Sequence, residues 1–148
     1  MNVVCKVTNF QEPNLFFSEK KKNIVMNGTF TKILYSMAYI SIMGMYFDFT
    51  INGNILNNKY YFNAYENMEL ILKFANVEKK ILHSYQNQHS RRDKRCAYVL
   101  HNHLLQGHLK VYTKKEIKNK KYVLKVSGIW ENADEIGITY KLLECSYL

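Results

Sequence analysis

Two short runs of cations carry the chemistry this chain is best equipped to do. Arg91, Arg92, Lys94 and Arg95 fall within five residues, and Lys114, Lys115, Lys118, Lys120 and Lys121 within eight. Ammonium and guanidinium groups neutralise phosphates and release condensed counterions, which is the dominant sequence-independent term in nucleic-acid binding. Flat rings supply the other half of such a surface, because every base has a face that stacks. Tyr112 and Tyr122 border the lysine run, Trp130 follows it, and Tyr46 opens an aromatic stretch with Phe47 and Phe49. Each feature also has a plainer reading. A basic loop keeps a surface solvated, and a lone tryptophan in an alternating strand commonly packs in a core.

The charge is unevenly placed. The 148 residues carry 21 Lys/Arg against 12 Asp/Glu, a net +9. Residues 75–148 hold 14 of those cations against 7 acids, whereas residues 1–74 hold 7 against 5. An excess of this sign favours polyanionic partners. Codon bias is a competing source, since an AT-rich genome enriches Lys, Asn, Ile and Tyr together. Placement beside aromatic strands is therefore more informative than the count.

Little in the sequence points to catalysis. There is no GxxxxGK[ST] loop and no GxGxxG. Asp48, Asp93 and Asp134 are scattered, and Asp134-Glu135 reads as a solvated turn, so a nuclease built on converging carboxylates is not expected. Cys96, His101, His103 and His108, with His83 and His89 upstream, are zinc-ligand types without a familiar zinc spacing. No cofactor or metal is expected. Cys5, Cys96 and Cys145 form no CxxC or paired framework and fit a reducing, intracellular compartment. No secretory leader or membrane span is expected: the apolar run Ile33–Ile51 is interrupted by Ser36, Ser41, Gly44 and Asp48.

The elements that must position these residues read as strands, then helix, then strands. Val3–Val7 is a short strand, Lys20-Lys21-Lys22 a solvated turn, and Phe30–Ser36 and Ile40–Ile51 are strands, with Gly28 and Gly44 at bends. Asn52-Gly53-Asn54 is a turn signal, followed by Asn57-Asn58 and an aromatic strand at Tyr60–Phe62. Val77, Ile81, Leu82 and Tyr85 share one helical face. Residues 87–95 read as a polar loop, and 97–106 as a short helix capped by Gly107. Leu109–Tyr112 resumes a strand, 114–121 is a hairpin loop, and two strands, 122–130 and 136–143, flank the turn 132–135. The expected fold is mainly β (α+β), an OB-like barrel with a central helical insertion, in one domain spanning 1–148.

The stretches Thr29–Phe49 and Lys125–Leu142 carry a further signal. Phe30, Lys32, Ile33, Tyr35, Ser36, Gly44, Met45 and Tyr46, then Ser127–Glu131 and Gly137–Lys141, resemble a family of small proteins of nucleocytoplasmic large DNA viruses. That family is similar to the bacteriophage T7-type single-stranded DNA-binding proteins. The resemblance implies an OB-fold and an accessory role in viral DNA replication, recombination or repair. It also implies viral replication proteins as partners and a host nucleus or cytoplasmic viral factory as location. The phage-type proteins recruit partners through an acidic tail with a terminal aromatic residue. This chain ends Glu144-Cys145-Ser146-Tyr147-Leu148, so such a tail is not part of the expectation.

The expectation is thus a non-enzymatic, largely sequence-independent binder of single-stranded DNA, with RNA also possible as ligand. Two alternatives stay open: a structural or virion-associated viral protein with basic loops, and a small zinc-binding regulator. Which rings face the ligand depends on strand register, which one sequence leaves undetermined. The oligomeric state is equally open.

Overall fold

The computed structural model describes residues 4–23, 27–112 and 120–146. Its strands are β1 (Val4–Cys5), β2 (Leu15–Lys22), β3 (Thr29–Met37), β4 (Ile40–Met43), β5 (Met45–Asp48), β6 (Gly53–Leu56), β7 (Lys59–Phe62), β8 (Arg95–Ala97), β9 (His108–Tyr112), β10 (Lys120–Glu131) and β11 (Glu135–Ser146). Two helices, α1 (Met68–His89) and α2 (Val99–Gln106), interrupt the strands between β7 and β9. The fold is mainly β with helices on one side, in the α+β class. Seven strands run through one open mixed sheet in the order β1-β5-β10-β11-β9-β7-β6, with β2, β3, β4 and β8 joined off this path, so among the described residues the sheet does not close into a barrel.

The long strand β10 organises this sheet. On one side it pairs antiparallel with β11 along its whole length. On the other side it has two successive partners: Val123–Val126 pair with β5, and Gly128–Glu131 with β3. A bulge at Ser127 separates the two halves, adding one residue and restoring the alternation of faces beyond it. The chain of β4 and β5 breaks at Gly44, whose φ of 84° falls in the left-handed region that favours glycine. At this break the chain moves from pairing with β3 to pairing with β10.

One face of the sheet is covered. α1 presents Ile71, Phe74, Val77, Ile81, Leu82 and Tyr85, all buried, at the helical spacing read from the sequence. They meet Ile33, Phe47, Leu124, Val126, Ile129, Ile138 and Leu142 from the strands. Phe74 packs edge-on against Phe47, and Tyr85 against Phe17. α2 adds Leu100 and Leu104 and ends at Gly107, which has a φ of 82°. Among the described residues, no helix is long and apolar enough to cross a membrane.

Several local expectations are corrected. The turn signal at Asn52-Gly53-Asn54 is not where the hairpin reverses: Gly53 already belongs to β6. The chain turns at Asn57-Asn58, with φ of 51° and 61°. Two successive positive φ values suit the twist of a two-residue hairpin. Lys20–Lys22 lie in β2 rather than in a turn. α1 runs on to His89 because the His89 ring stacks on Tyr85 at 4.3 Å and meets the edge of Phe17. The hairpin expected between Tyr112 and Tyr122 does not form. β9 pairs parallel with β11, which lies between β9 and β10.

Candidate nucleic-acid interface

The uncovered face of the sheet gathers cations and rings from five neighbouring strands. Alternation places Tyr46, Lys125 and Lys141 on this face, because Phe47, Leu124 and Leu142 on the other are buried. The register sets Lys125 opposite Tyr46 on β5 and opposite Lys141 on β11. Tyr112 on β9 lies beside Leu143, and Lys59 on β7 is opposite Lys110 on β9. Tyr61 is opposite His108, their rings 5.6 Å apart.

The cations and rings are in contact. Lys125 Nζ lies 5.5 Å from the centre of the Tyr46 ring. Tyr112 is approached by two ammoniums, Lys141 Nζ at 4.9 Å and Lys110 Nζ at 5.1 Å. Such contacts are worth about 0.5–1 kcal/mol at exposed sites. They hold long side chains over the face while leaving Tyr112 and Tyr61 about 40% exposed (41% and 40%). Asp48 also faces this way and is ion-paired with Lys121 at 3.0 Å. Beyond the Ser127 bulge the same face carries Lys32, Phe30 and Trp130. The Trp130 ring lies across Gly137, where a Cβ would come within 2.3 Å of the indole. Trp130 is therefore held flat and half-buried on the open side.

The sequence-predicted residues divide accordingly. Tyr46, Tyr112, Trp130 and Lys121 are on the open face. Tyr122 is not: its ring packs against Tyr60 at 4.5 Å, and its hydroxyl donates to Glu144 Oε1 at 3.3 Å. Burial, with the Glu144 charge beside it, pushes this phenol up to about 12. Lys114, Lys115 and Lys118, and the side chain of Lys120, lie outside the described residues.

The run 91–95 is mostly committed to the protein itself. Glu131 is 5% exposed, on the face opposite Trp130. Its Oε2 meets Lys20 Nζ at 2.9 Å, Thr29 Oγ1 at 3.1 Å and the Tyr85 hydroxyl at 3.2 Å. Its Oε1 lies 3.1 Å from Arg91 Nε and 3.5 Å from Lys94 Nζ. The Arg91 contact is electrostatic, since its Nε makes no directed hydrogen bond. Arg95 pairs with Glu135, leaving Arg92 exposed beside Asp93. Three of the four predicted cations thus serve carboxylates of the fold, a use that local sequence does not reveal.

Lys32, Lys59, Lys110, Lys125 and Lys141 are not among the residues the sequence points to, because none lies in a local basic cluster. Each is a single lysine in an apolar or aromatic strand, and only strand pairing brings them together. The one available signal was their position on the polar phase of the alternation.

The histidines are dispersed. His89 stacks on Tyr85, His83 Nε2 lies 3.4 Å from the Tyr98 hydroxyl, and His103 Nδ1 meets the Tyr140 hydroxyl. Among the described residues, no three His, Cys, Asp or Glu side chains are placed to hold a metal ion. The three cysteines are unpaired and half-buried.

One further titrating group sits under the helices. Glu78 of α1 is fully buried and accepts the N–H groups of Leu100 at 2.8 Å and His101 at 3.0 Å, capping α2 from outside. Burial raises its carboxyl from 4.5 to about 7 against the pull of those two donors. Because the folded pKa is raised, the folded state binds the extra proton, and stability is lost as pH rises from the ordinary carboxylate range through about 7. Urea unfolding from about pH 5 to about pH 8 is expected to give a free energy that falls with pH more steeply in the wild type than in Glu78→Gln. Parallel profiles in the two proteins would refute the assignment.

No known protein family, curated protein or solved structure matches this chain.

Proposed function

We propose that this chain is a non-enzymatic, largely sequence-independent single-stranded DNA-binding protein, and that the open face of its sheet is the binding surface. One observation supports this most. Lys125 faces Lys141, and Lys59 faces Lys110, across adjacent strands. Like charges directly opposite each other destabilise a sheet. A face that keeps two such pairs, with tyrosines among them, is better suited to a polyanion than to water alone. Phosphates would lie over the ammoniums, and bases would stack on Tyr46, Tyr112 and Tyr61 at about 1–3 kcal/mol each. A single strand fits this use better than a duplex, whose bases are already stacked on each other. The resemblance extends the proposal to replication, recombination or repair in a large DNA virus. It also brings in kinship with OB-like barrels, of which this sheet would be an opened form.

The test is a fluorescence-anisotropy titration with an unstructured oligothymidylate. Five lysines, each meeting one phosphate, give a slope of log affinity on log salt of about −3.5, hence a loss of about a hundredfold between about 50 and about 200 mM salt. Salt-insensitive binding, or equal affinity for a duplex of the same length, would rule the proposal out.

A further inference from the structure

The open face is not flat. At its centre β3 leaves β10 after Lys32 and turns to pair with β4 from Leu34. The β4–β5 chain crosses at the same level, where the Gly44 N–H donates to Ile33 O at 2.7 Å. Three strands separate at this point, next to the Ser127 bulge, and leave a notch of about 230 Å³. Phe30, Lys32, Met43, Gly44, Lys125 and Ser127 line it.

We propose that this notch is a base-insertion subsite, taking one unstacked nucleobase of a single strand while Lys32 and Lys125 hold the phosphates on either side of it. The inference rests on the single-strand reading above and assigns it one specific place. The notch matches a base chemically. The Phe30 ring lines it and is fixed by its own packing: a Cβ at Gly128 would lie 2.6 Å from Phe30 Cζ. Met43 lines it too, 49% exposed and flexible enough to close on a flat ring. Lys32 and Lys125 also line it, Lys125 with its ammonium 5.5 Å from the Tyr46 ring, and the Ser127 hydroxyl offers one donor and one acceptor to a base edge. The lining thus combines apolar and cationic side chains, as a base flanked by phosphodiesters requires. A paired base cannot enter without leaving its stack, so the notch favours single strands over duplex.

The experiment compares oligothymidylate with an abasic deoxyribose-phosphate oligomer of equal length, on wild type, Ser127→Phe and Met43→Ala. Ser127→Phe fills the notch and removes no charge. Met43→Ala alters an exposed side chain and keeps the test usable should Ser127→Phe fail to fold. Wild type is expected to prefer the base-containing strand by a hundredfold or more, the notch adding the worth of about one stacked base to the stacking on the open-face tyrosines. Ser127→Phe should reduce that preference about tenfold and Met43→Ala by about threefold, with abasic affinity unchanged in both. Unchanged preference in the folded variants, or no preference in wild type, overturns the subsite while leaving the phosphate-binding face standing. Binding of neither oligomer by wild type overturns the face, and the subsite with it.

Discussion

Replacing Glu131 by Gln is expected to destabilise the protein by about 2–4 kcal/mol, one of the two largest effects in the molecule. The carboxylate is 5% exposed and faces Lys20, Arg91 and Lys94. Removing its charge leaves three neighbouring cations with no counter-charge at that point. Breaking a fully buried pair costs about 3–5 kcal/mol, but here Lys20 and Arg91 reach water in part, which lowers the figure. Burial pushes the Glu131 carboxyl up, and Lys20, Lys94 and the Thr29 hydroxyl together outweigh burial and hold it below the usual range. Its stabilisation is therefore present above the ordinary carboxylate pKa and is lost as pH falls through the depressed value. Urea titrations should show the gap between wild type and Glu131→Gln closing on acidification. A gap below about 0.5 kcal/mol at neutral pH would mean that the cluster adds nothing to stability.

The second large effect is on binding. Changing Lys110, Lys125 and Lys141 together to Gln should weaken oligothymidylate binding about a hundredfold at about 0.1 M salt and reduce the salt slope from about −3.5 to about −1.4. The same variant should lose no more than about 1–2 kcal/mol of stability, because relief of the Lys125–Lys141 and Lys59–Lys110 repulsions partly offsets the lost contacts with Tyr46 and Tyr112. Lower affinity with retained stability separates a binding face from a structural one. Lys73, Lys79 and Lys80 on the exposed side of α1, changed likewise, remove equal charge and should cost much less affinity. Equal losses in the two triple variants would show that net charge alone, rather than this face, attracts the ligand.

Much of the local structure was legible in the sequence. The period of Val77, Ile81, Leu82 and Tyr85 located α1, and Gly107 marked the end of α2, because each rests on contacts or backbone freedom within a few residues. The alternation through Tyr122–Trp130 and Ile136–Leu143 gave β10 and β11 for the same reason. The candidate site was legible only in part. The sequence marks Tyr46, Tyr112 and Trp130 as stacking rings, and they lie on the open face. It marks Tyr122 equally, which faces Glu144 instead. A single residue's phase in a strand decides its face, and that phase could not be set without the strand's partners.

The charge clusters show the same division. Sequence alone determined that the chain is basic, that its cations are concentrated after residue 75, and that aromatic strands accompany them. Those properties are sums over residues and need no fold. Tertiary structure decided which cations are spent and which are displayed. Glu131 draws in Lys20, Arg91 and Lys94, from segments more than a hundred residues apart in the case of Lys20, because a buried carboxylate must be neutralised. Lys59, Lys110, Lys125 and Lys141 are separated in sequence by up to 82 positions and become neighbours only because β7, β9, β11 and β10 lie side by side. Hydrogen-bonded pairing of distant strands is a long-range choice, and the open face is its product.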